Sequence, residues 1–256
     1  MKQSKIKNIL GNTIFKGYSF NMIYTDAHCH LLENIRPYNA EQIFRIATAV
    51  TEKDWATLIK NANNTDFFVC IGIHPWYLDD LSNDWLKNME KILSTNPKIM
   101  VGETGIDKNT PNLPKQQEFL LRHIEIAHKF NRPLHLHCVG AWDKALHIFK
   151  TLGKKMPPII VAHSFNGTPE QVETLCRYNN IFFSYSGRQL LHPTTKIIAN
   201  IESTPNDKIL VESDTNNANE EIGILRIAID GIAKIKNTDT ETIAHQTYTN
   251  FQKVVL

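Results

Sequence analysis

The sequence has no long apolar run and no strong excess of charge of either sign. Its 256 residues are 42% hydrophobic and 21% charged, and 28 basic side chains nearly balance 26 acidic ones. Polar residues interrupt every apolar stretch well before the roughly 18 residues of a membrane-spanning helix. The charge balance excludes a globally basic surface for nucleic acid, so any contact with a polyanion must be local.

Cysteine is also sparse, and its spacing excludes the usual cysteine frameworks. The four cysteines lie far apart and contain no C-x-x-C pair, so neither a disulfide scaffold nor a thiolate zinc finger is favoured. The lysine-rich start has no compact apolar segment of the secretory type. We therefore expect a cytoplasmic protein with reduced thiols and no membrane contact, and nothing indicates an obligate protein partner.

No internal repeat, low-complexity tract or Gly/Ser linker marks a second domain. Short β-rich runs alternate with helical stretches, which is typical of parallel strands joined by crossover helices. We predict eight strands, over 23–28, 43–49, 67–72, 99–103, 134–137, 159–163, 181–184 and 209–213. Helices are predicted over 115–130, 220–235 and 240–255, while the 31–42 connection has little room for one. The sequence thus predicts an α/β fold, a single (β/α)8 TIM barrel with its active site at the carboxyl ends of the strands.

Metal-ligand side chains follow several of these apolar runs. His28 and His30 are two residues apart, so both side chains point to one side of the first strand and can share a metal. Such a pair alone also occurs as hydrogen-bonded core or surface histidines. Glu103 directly follows the fourth run, where burial without a counter-charge costs several kcal/mol. Three more strand ends carry such side chains: His137, His163 and Asp214. Together they exceed the ligands of a single tetrahedral ion, which points to one or two divalent ions, Zn, Mg or Mn.

The motifs at these strand ends resemble those of the TatD-related metal-dependent hydrolases. The similar segments, in order, are TDAHCH, GIHP, VGETGID, RPLHLH, AHSFNG and ILVESD, and they run from Thr25 to Asp214. Weaker agreement comes from Lys115-Gln116-Gln117, Phe119 and Asn250-Phe251. The resemblance implies a TIM barrel of the amidohydrolase type, divalent metal at one or two sites, and hydrolysis of ester bonds, commonly phosphodiesters in DNA. The family start resembles residues 22–26, so 22–256 form the expected domain. Residues 1–21 are then an extension, either disordered or upstream of the true initiator.

The resemblance also implies roles for individual residues. His28, His30 and Asp214 resemble the ligands of one metal, Glu103 the bridging carboxylate, and His137 with His163 the ligands of the second. The catalytic residues would be Glu103 and Asp214, with Asp214 orienting the attacking water or taking its proton.

Other residues near the strand ends have two interpretations each. His74, in the GIHP motif, either binds substrate or hydrogen-bonds a loop. Arg188 either pairs with a phosphate or lies solvated on the surface. Asp26 either orients a ligand histidine from behind or only caps the strand region, and Glu212 is expected behind the ligands, where a carboxylate orients a histidine. His135 either shares that role, competes with His137 as ligand, or is a satisfied core histidine.

A turn aspartate and several aromatic residues are equally open. Asp107 either takes part in the site or caps its own turn. Phe165 could stack on a base or cover the core, and Trp76 and Tyr77 have the same two interpretations.

Two family features are absent from the chain. The segment after Asp214 reads Thr215-Asn216-Asn217-Ala218-Asn219 rather than beginning with Pro-Tyr, and no arginine follows His137 closely. The leading hypothesis is a two-metal deoxyribonuclease that trims single-stranded ends, with DNA or a small phosphoester as substrate. The alternatives are an amidohydrolase or esterase acting on a small amide, lactone or carboxylic ester, and a metal-binding scaffold without turnover. DNA would require a locally positive groove, and a small ester would require a closed apolar pocket.

Overall fold

The computed structural model describes residues 22–34, 42–178 and 180–255. Eight parallel strands follow one another in chain order around a nearly closed barrel. They are β1 Tyr24–Cys29, β2 Ile43–Thr48, β3 Phe67–Ile71, β4 Met100–Asp107, β5 Leu134–Val139, β6 Ile160–Ala162, β7 Ile181–Ser186 and β8 Ile209–Glu212. The predicted (β/α)8 barrel is confirmed, whereas the predicted extension over 1–21 lies outside the described residues.

Helices lie between most consecutive strands on the outside of the barrel, and two more follow the last strand. They are α1 Glu52–Ile59, α2 Trp85–Thr95, α3 Leu113–Lys129, α4 Trp142–Leu152, α5 Pro169–Cys176, α6 Gly187–Leu191, α7 Thr195–Ser203, α8 Ala218–Ile235 and α9 Thr240–Val255. Short 3₁₀ turns cover Pro75–Tyr77, Gly153–Lys155 and Asn206–Lys208. The two helices predicted after the last strand are α8 and α9. Between β1 and β2 the described residues, 30–34 and 42, contain no helix.

Helix α3 shows how the local sequence fixes an element. It begins two residues before the predicted start because Pro114 fits the first helical turn, where no backbone N–H is needed. It ends ahead of Arg132-Pro133, as predicted. Leu120, Ile124 and Ala127 recur at helical spacing and are fully buried, so they form the packed face.

The seam between β1 and β8 is joined by backbone hydrogen bonds beyond the ends of both strands. The Asp214 N–H donates to the His28 carbonyl at 2.9 Å, and the His30 N–H donates to the Thr215 carbonyl at 2.8 Å. The segments that carry His28, His30 and Asp214 are therefore fixed to each other by main-chain contacts.

The amino-terminal end of the barrel is filled by apolar side chains. One cluster there contains Ala27, Ile46, Cys70, Met100, Val161, Phe182 and Leu210 from the strands, with Phe251 and Val254 from α9. The Asn250 amide donates to the carbonyls of Asn206 and Ile209, both at 2.8 Å. Helix α9 thus closes this end, which gives the Asn250-Phe251 pair a structural role.

Strands β4 and β5 extend beyond their predicted ends. Glu103 and His137 were expected at the strand ends, but β4 continues to Asp107 and β5 to Val139. Gly105 pairs with His137, and a Cβ at Gly105 would lie only 1.7 Å from the His137 carbonyl oxygen. Because glycine permits this close approach, the two strands remain paired past the ligand positions.

Candidate metal centre

The two histidines at the end of β1, His28 within the strand and His30 just beyond it, face one oxygen of Glu103. Nε2 of His28 lies 3.2 Å from Glu103 Oε2, and Nε2 of His30 lies 3.5 Å from the same oxygen. Nδ1 of His30 is 3.3 Å from the Thr48 carbonyl oxygen. Because a carbonyl oxygen only accepts, this contact assigns a proton to Nδ1, so Nε2, which faces the carboxylates, is the nitrogen that would bind a metal.

The histidines of β5 and of the turn after β6 face the other oxygen of Glu103. Nδ1 of His137 and Nε2 of His163 each lie 2.9 Å from Glu103 Oε1. On the far side of the rings, His137 Nε2 is 3.6 Å from Asp107 Oδ2 and His163 Nδ1 is 3.4 Å from Glu212 Oε1. A carboxylate behind each imidazole orients its ring and increases its basicity as a ligand.

Glu103 is therefore shared between two pairs of imidazoles. Its side chain is almost fully buried, and the ion-pair partners recorded for it in the described chain are all histidines. Burial alone would raise the pKa of Glu103, but the charge of His163, the largest opposing effect, and the hydrogen bond with His137 help to lower it well below the usual range. The carboxylate is ionised at neutral pH.

Asp214 lies on the solvent side of this group. It has a left-handed backbone conformation, φ 51°, and its side chain is 29% exposed. Oδ1 of Asp214 is 3.3 Å from His30 Nε2. Burial by itself raises the pKa of Asp214, but the hydrogen bond with His30 and the charge of His163 lower it to about 2. Asp214 is thus a carboxylate that is both ionised and accessible.

These donors fit one or two divalent ions. Three sets have ligand atoms within 4.8 Å of one another: His28, His30 and Glu103; His28, His163 and Asp214; and His74, Glu103 and His137. Imidazole nitrogens and carboxylate oxygens are the ligands of catalytic zinc, and they also suit manganese. The structure therefore brings together every residue that the sequence predicted as a ligand.

His74 joins the group with its proton position fixed by the backbone. Its Nδ1 accepts a hydrogen bond from the Trp76 N–H at 3.2 Å, so the ring proton lies on Nε2, 3.4 Å from Glu103 Oε1. Burial and the charge of His137 lower the pKa of His74 to about 3 although Glu103 opposes the shift. A neutral ring that presents N–H is a hydrogen-bond donor, which favours the substrate role over metal ligation.

Glu212 and Asp26 lie behind the ligands, where the sequence placed them. Glu212 Oε1 accepts from the Ser164 N–H at 2.9 Å, and Oε2 accepts from the Ser184 hydroxyl. Asp26 Oδ1 accepts from the backbone N–H groups of His28, at 3.2 Å, and Ser213, at 2.9 Å. Glu212 thus faces an imidazole, whereas Asp26 holds the β1 backbone to the turn before Asp214.

His135 is fully buried inside the barrel, where its ring packs near that of the candidate ligand His28. It pairs in register with Val161 of the apolar cluster, and its ring centroid lies 5.9 Å from that of His28. Neither ring nitrogen has a hydrogen-bond partner within the described structure. The structure therefore supplies no hydrogen bond through which His135 would orient a ligand, and it is not a satisfied core histidine either.

A cavity of about 460 Å³ opens above Glu103. Its described lining includes the candidate ligands other than the fully buried His28, the aromatic side chains of Trp76 and Tyr77, and the polar side chains of Arg188 and Asn216. Arg188 is the single lysine or arginine of that lining. Phe165, in contrast, is completely buried against Trp142 and Phe183, so it covers the core.

One feature of the surroundings was missed at the sequence level, and one open alternative is answered by the contacts. Arg45 and Glu221 form a buried ion pair in which Nε and Nη2 each lie 2.7 Å from a carboxylate oxygen. The sequence feature that could have indicated this ion pair is an arginine within the apolar run 43–47. Asp107 serves both of its suggested roles, because Oδ1 caps the Asn109 N–H at 2.8 Å and Oδ2 accepts from the Trp76 indole N–H at 2.7 Å.

Sequence comparison finds relatives along nearly the whole chain. An uncharacterized metal-dependent hydrolase of Buchnera aphidicola (subsp. Baizongia pistaciae) is 26% identical over 91% of this chain and 96% of that protein. A protein of Erwinia billingiae named 3'-5' ssDNA/RNA exonuclease TatD is 28% identical over 40% of each chain.

Structural comparison gives the same fold. The crystal structure of YJJV, a TatD homolog from Escherichia coli K12, has a TM-score of 0.75 and 21% identity, and covers 91% of this chain and 97% of that one. Residues 25–255 match the family described as TatD related DNase. The chain therefore belongs to the TatD related DNase family.

Proposed function

We propose that the chain is a two-metal phosphodiesterase, a deoxyribonuclease that removes nucleotides from single-stranded ends. The observation that carries the proposal is the position of Glu103 beneath an open cavity, with Oε2 facing the candidate ligands His28 and His30 and Oε1 facing the candidate ligands His137 and His163. A carboxylate shared in this way suits a pair of ions that stabilise both the attacking and the leaving oxygen of a displacement.

The ligand pairs follow from the contacts of Glu103. His28, His30 and Asp214 would hold one ion on the Oε2 side, His137 and His163 would hold the other on the Oε1 side, and Glu103 would contact both. The chemistry supplied by the bound ions is a lowered pKa for the attacking water and compensation of charge on the phosphoryl oxygens.

Asp214 lies beside His30 on the Oε2 side of Glu103, and His74 lies on the Oε1 side. Asp214 has an ionised, partly exposed carboxylate, so it orients the attacking water and takes its proton. His74 presents a fixed N–H from Nε2, which donates to a phosphoryl oxygen and positions the scissile group. Arg188 lines the same cavity and can bind a phosphate with two parallel N–H groups.

The proposal of a nucleic-acid substrate rests on the chemistry of the cavity and on the names of relatives. The Erwinia protein is named as an exonuclease of single-stranded DNA and RNA. The cavity opens at the carboxyl ends of the strands, and a volume of about 460 Å³ suits the end of a strand rather than a duplex. A location in the cytoplasm stays a prediction, and no helix within the described ranges is long and apolar enough to cross a membrane.

The test is digestion of end-labelled single-stranded DNA by metal-free protein with added Mg, Mn or Zn. Asp214→Asn, prepared in parallel, controls for contaminating nuclease. We expect loss of label only in the wild type and only with metal. Absence of cleavage in protein shown to bind metal would overturn the nuclease proposal.

A small ester or amide is the second candidate. The observation that favours it is the single guanidinium in the described cavity lining, together with the missing arginine after His137. The same activated water attacks carbonyl groups. Turnover of a carboxylic ester, lactone or amide panel by protein that leaves DNA intact would support this function.

A further inference from the structure

The tryptophans of the chain differ sharply in exposure. Of four, Trp55 and Trp142 are buried and Trp85 is half-buried, but Trp76 is 59% exposed, the largest value among the exposed large hydrophobic residues of the described chain. Trp55 donates to the Gly72 carbonyl at 3.1 Å inside the fold, and Trp85 stacks on Phe119. These three rings pack the structure, whereas the Trp76 ring lies largely in solvent at the cavity above Glu103.

The exposed ring is nevertheless held in place. Its indole N–H donates to Asp107 Oδ2 at 2.7 Å, and the ring packs perpendicular to that of His74, with ring centroids 4.9 Å apart and planes at 87°. Pro75 and the 3₁₀ turn Pro75–Tyr77 restrict the backbone beneath it. A large ring fixed in one orientation loses little conformational entropy when a ligand packs on it.

Neighbouring groups indicate what would pack there. The ring lies on the rim of a cavity that also holds the His74 Nε2 proton and the Arg188 guanidinium, both suited to phosphate oxygens. A flat π face next to phosphate-binding groups matches the two parts of a nucleotide, its base and its phosphate. A small aliphatic ester has no flat ring to stack, so the polar groups alone would serve it.

We propose that Trp76 is the stacking platform for the terminal base of the single-stranded substrate, a specificity-determining residue held by Asp107 and His74. This inference rests on the proposed nuclease function and adds the way in which the end of the strand is recognised. Stacking on an aromatic face tolerates every base, so the platform selects an unpaired terminal nucleotide rather than a sequence.

The test compares oligonucleotides that carry a normal or an abasic residue at both ends. For Trp76→Ala we expect KM for the normal substrate to rise about 10–100-fold, with kcat changed only a few-fold. The wild type should discriminate against the abasic ends by a similar factor, and Trp76→Ala should treat both substrates alike. Trp76→Phe keeps a stacking face and should recover most of the affinity and the discrimination.

Two controls make the outcomes distinct. Ile23→Ala removes an exposed apolar side chain at the opposite end of the barrel, and its KM should match the wild type. Unchanged metal affinity in Trp76→Ala would show that the ligands remain in place. An unchanged KM in Trp76→Ala, or retained discrimination against abasic ends, overturns the stacking role alone. Absence of any DNA cleavage by the wild type overturns the proposed function and this inference with it.

Discussion

The two ends of the barrel are built from the same eight strands and have opposite chemistry. At the amino-terminal end, strand residues such as Ile46 and Leu210 pack with Phe251 of α9 in a fully buried apolar cluster. At the carboxyl end, the same strands and the turns that follow them present imidazoles and carboxylates around Glu103.

The difference shows how such a site is supported. Burying an ionised carboxylate costs free energy unless it is paired, and the apolar end contributes roughly 25 cal/mol per Å² of apolar surface removed from water. Stability and chemistry therefore occupy separate ends, in the arrangement typical of TIM barrels. Substitutions at the two ends should have separable effects.

The largest effect is expected at the carboxyl end, for Glu103→Gln. The amide fits the same space but has lost the charge and one of the two oxygens that the imidazoles face. We expect metal affinity, measured by titration calorimetry, to fall by more than the roughly 10–100-fold typical of residues behind the ligands. Hydrolytic activity should fall with it.

Glu118→Gln is the matched control, because it removes the same charge from an exposed position on α3. Its metal affinity should equal that of the wild type. A Glu103→Gln protein that kept its metal affinity within tenfold would contradict the shared-carboxylate arrangement.

The opposite end is tested by Phe251→Ala. The ring is buried against Phe68, with centroids 5.7 Å apart, and its removal leaves a cavity in the apolar cluster. We expect the free energy of unfolding, measured in urea on the metal-free protein, to fall by about 3–5 kcal/mol. Metal affinity of the folded protein should not change.

Tyr248→Ala serves as a graded control on the same helix. The Tyr248 ring is half-buried against Phe44. Its removal should lower the free energy of unfolding by less than the removal of the Phe251 ring. A loss of metal affinity in proportion to the loss of stability would show that the two ends are coupled and that the separation does not hold.

The barrel and the identity of the candidate ligands could be predicted from the sequence because both depend on local patterns. Apolar runs predict buried parallel strands, and His28, His163 and Asp214 stand at or just beyond their ends. The continuation of β4 past Glu103 was not predictable, since it depends on the approach of Gly105 to the His137 backbone.

Contacts between distant segments could not be predicted from the sequence either. The proton position on His74 depends on the Trp76 N–H, and the pairing of Arg45 with Glu221 joins residues far apart in the chain. Phe165 and Trp76 had the same two interpretations in the sequence, and only their exposure in the folded barrel separates them.

The smallest effect, and the sharpest test of where the two ends meet, is expected for Glu212→Gln. Glu212 is fully buried at the end of β8, two residues after the apolar Leu210. Its carboxylate faces His163 Nδ1. The amide retains hydrogen-bonding capacity toward Ser164 and Ser184 but loses the charge that makes His163 a better ligand, so we expect metal affinity to fall about 10–100-fold. Ser184→Ala removes one hydroxyl donor to Glu212 and keeps the charge, and should weaken metal binding less. Calorimetric titration and urea unfolding of both variants locate the boundary between the apolar end and the metal-binding end of the barrel. If Glu212→Gln lowered stability and left metal affinity unchanged, Glu212 would belong to the structural end. The functional region would then begin at Glu103 and the imidazoles that surround it.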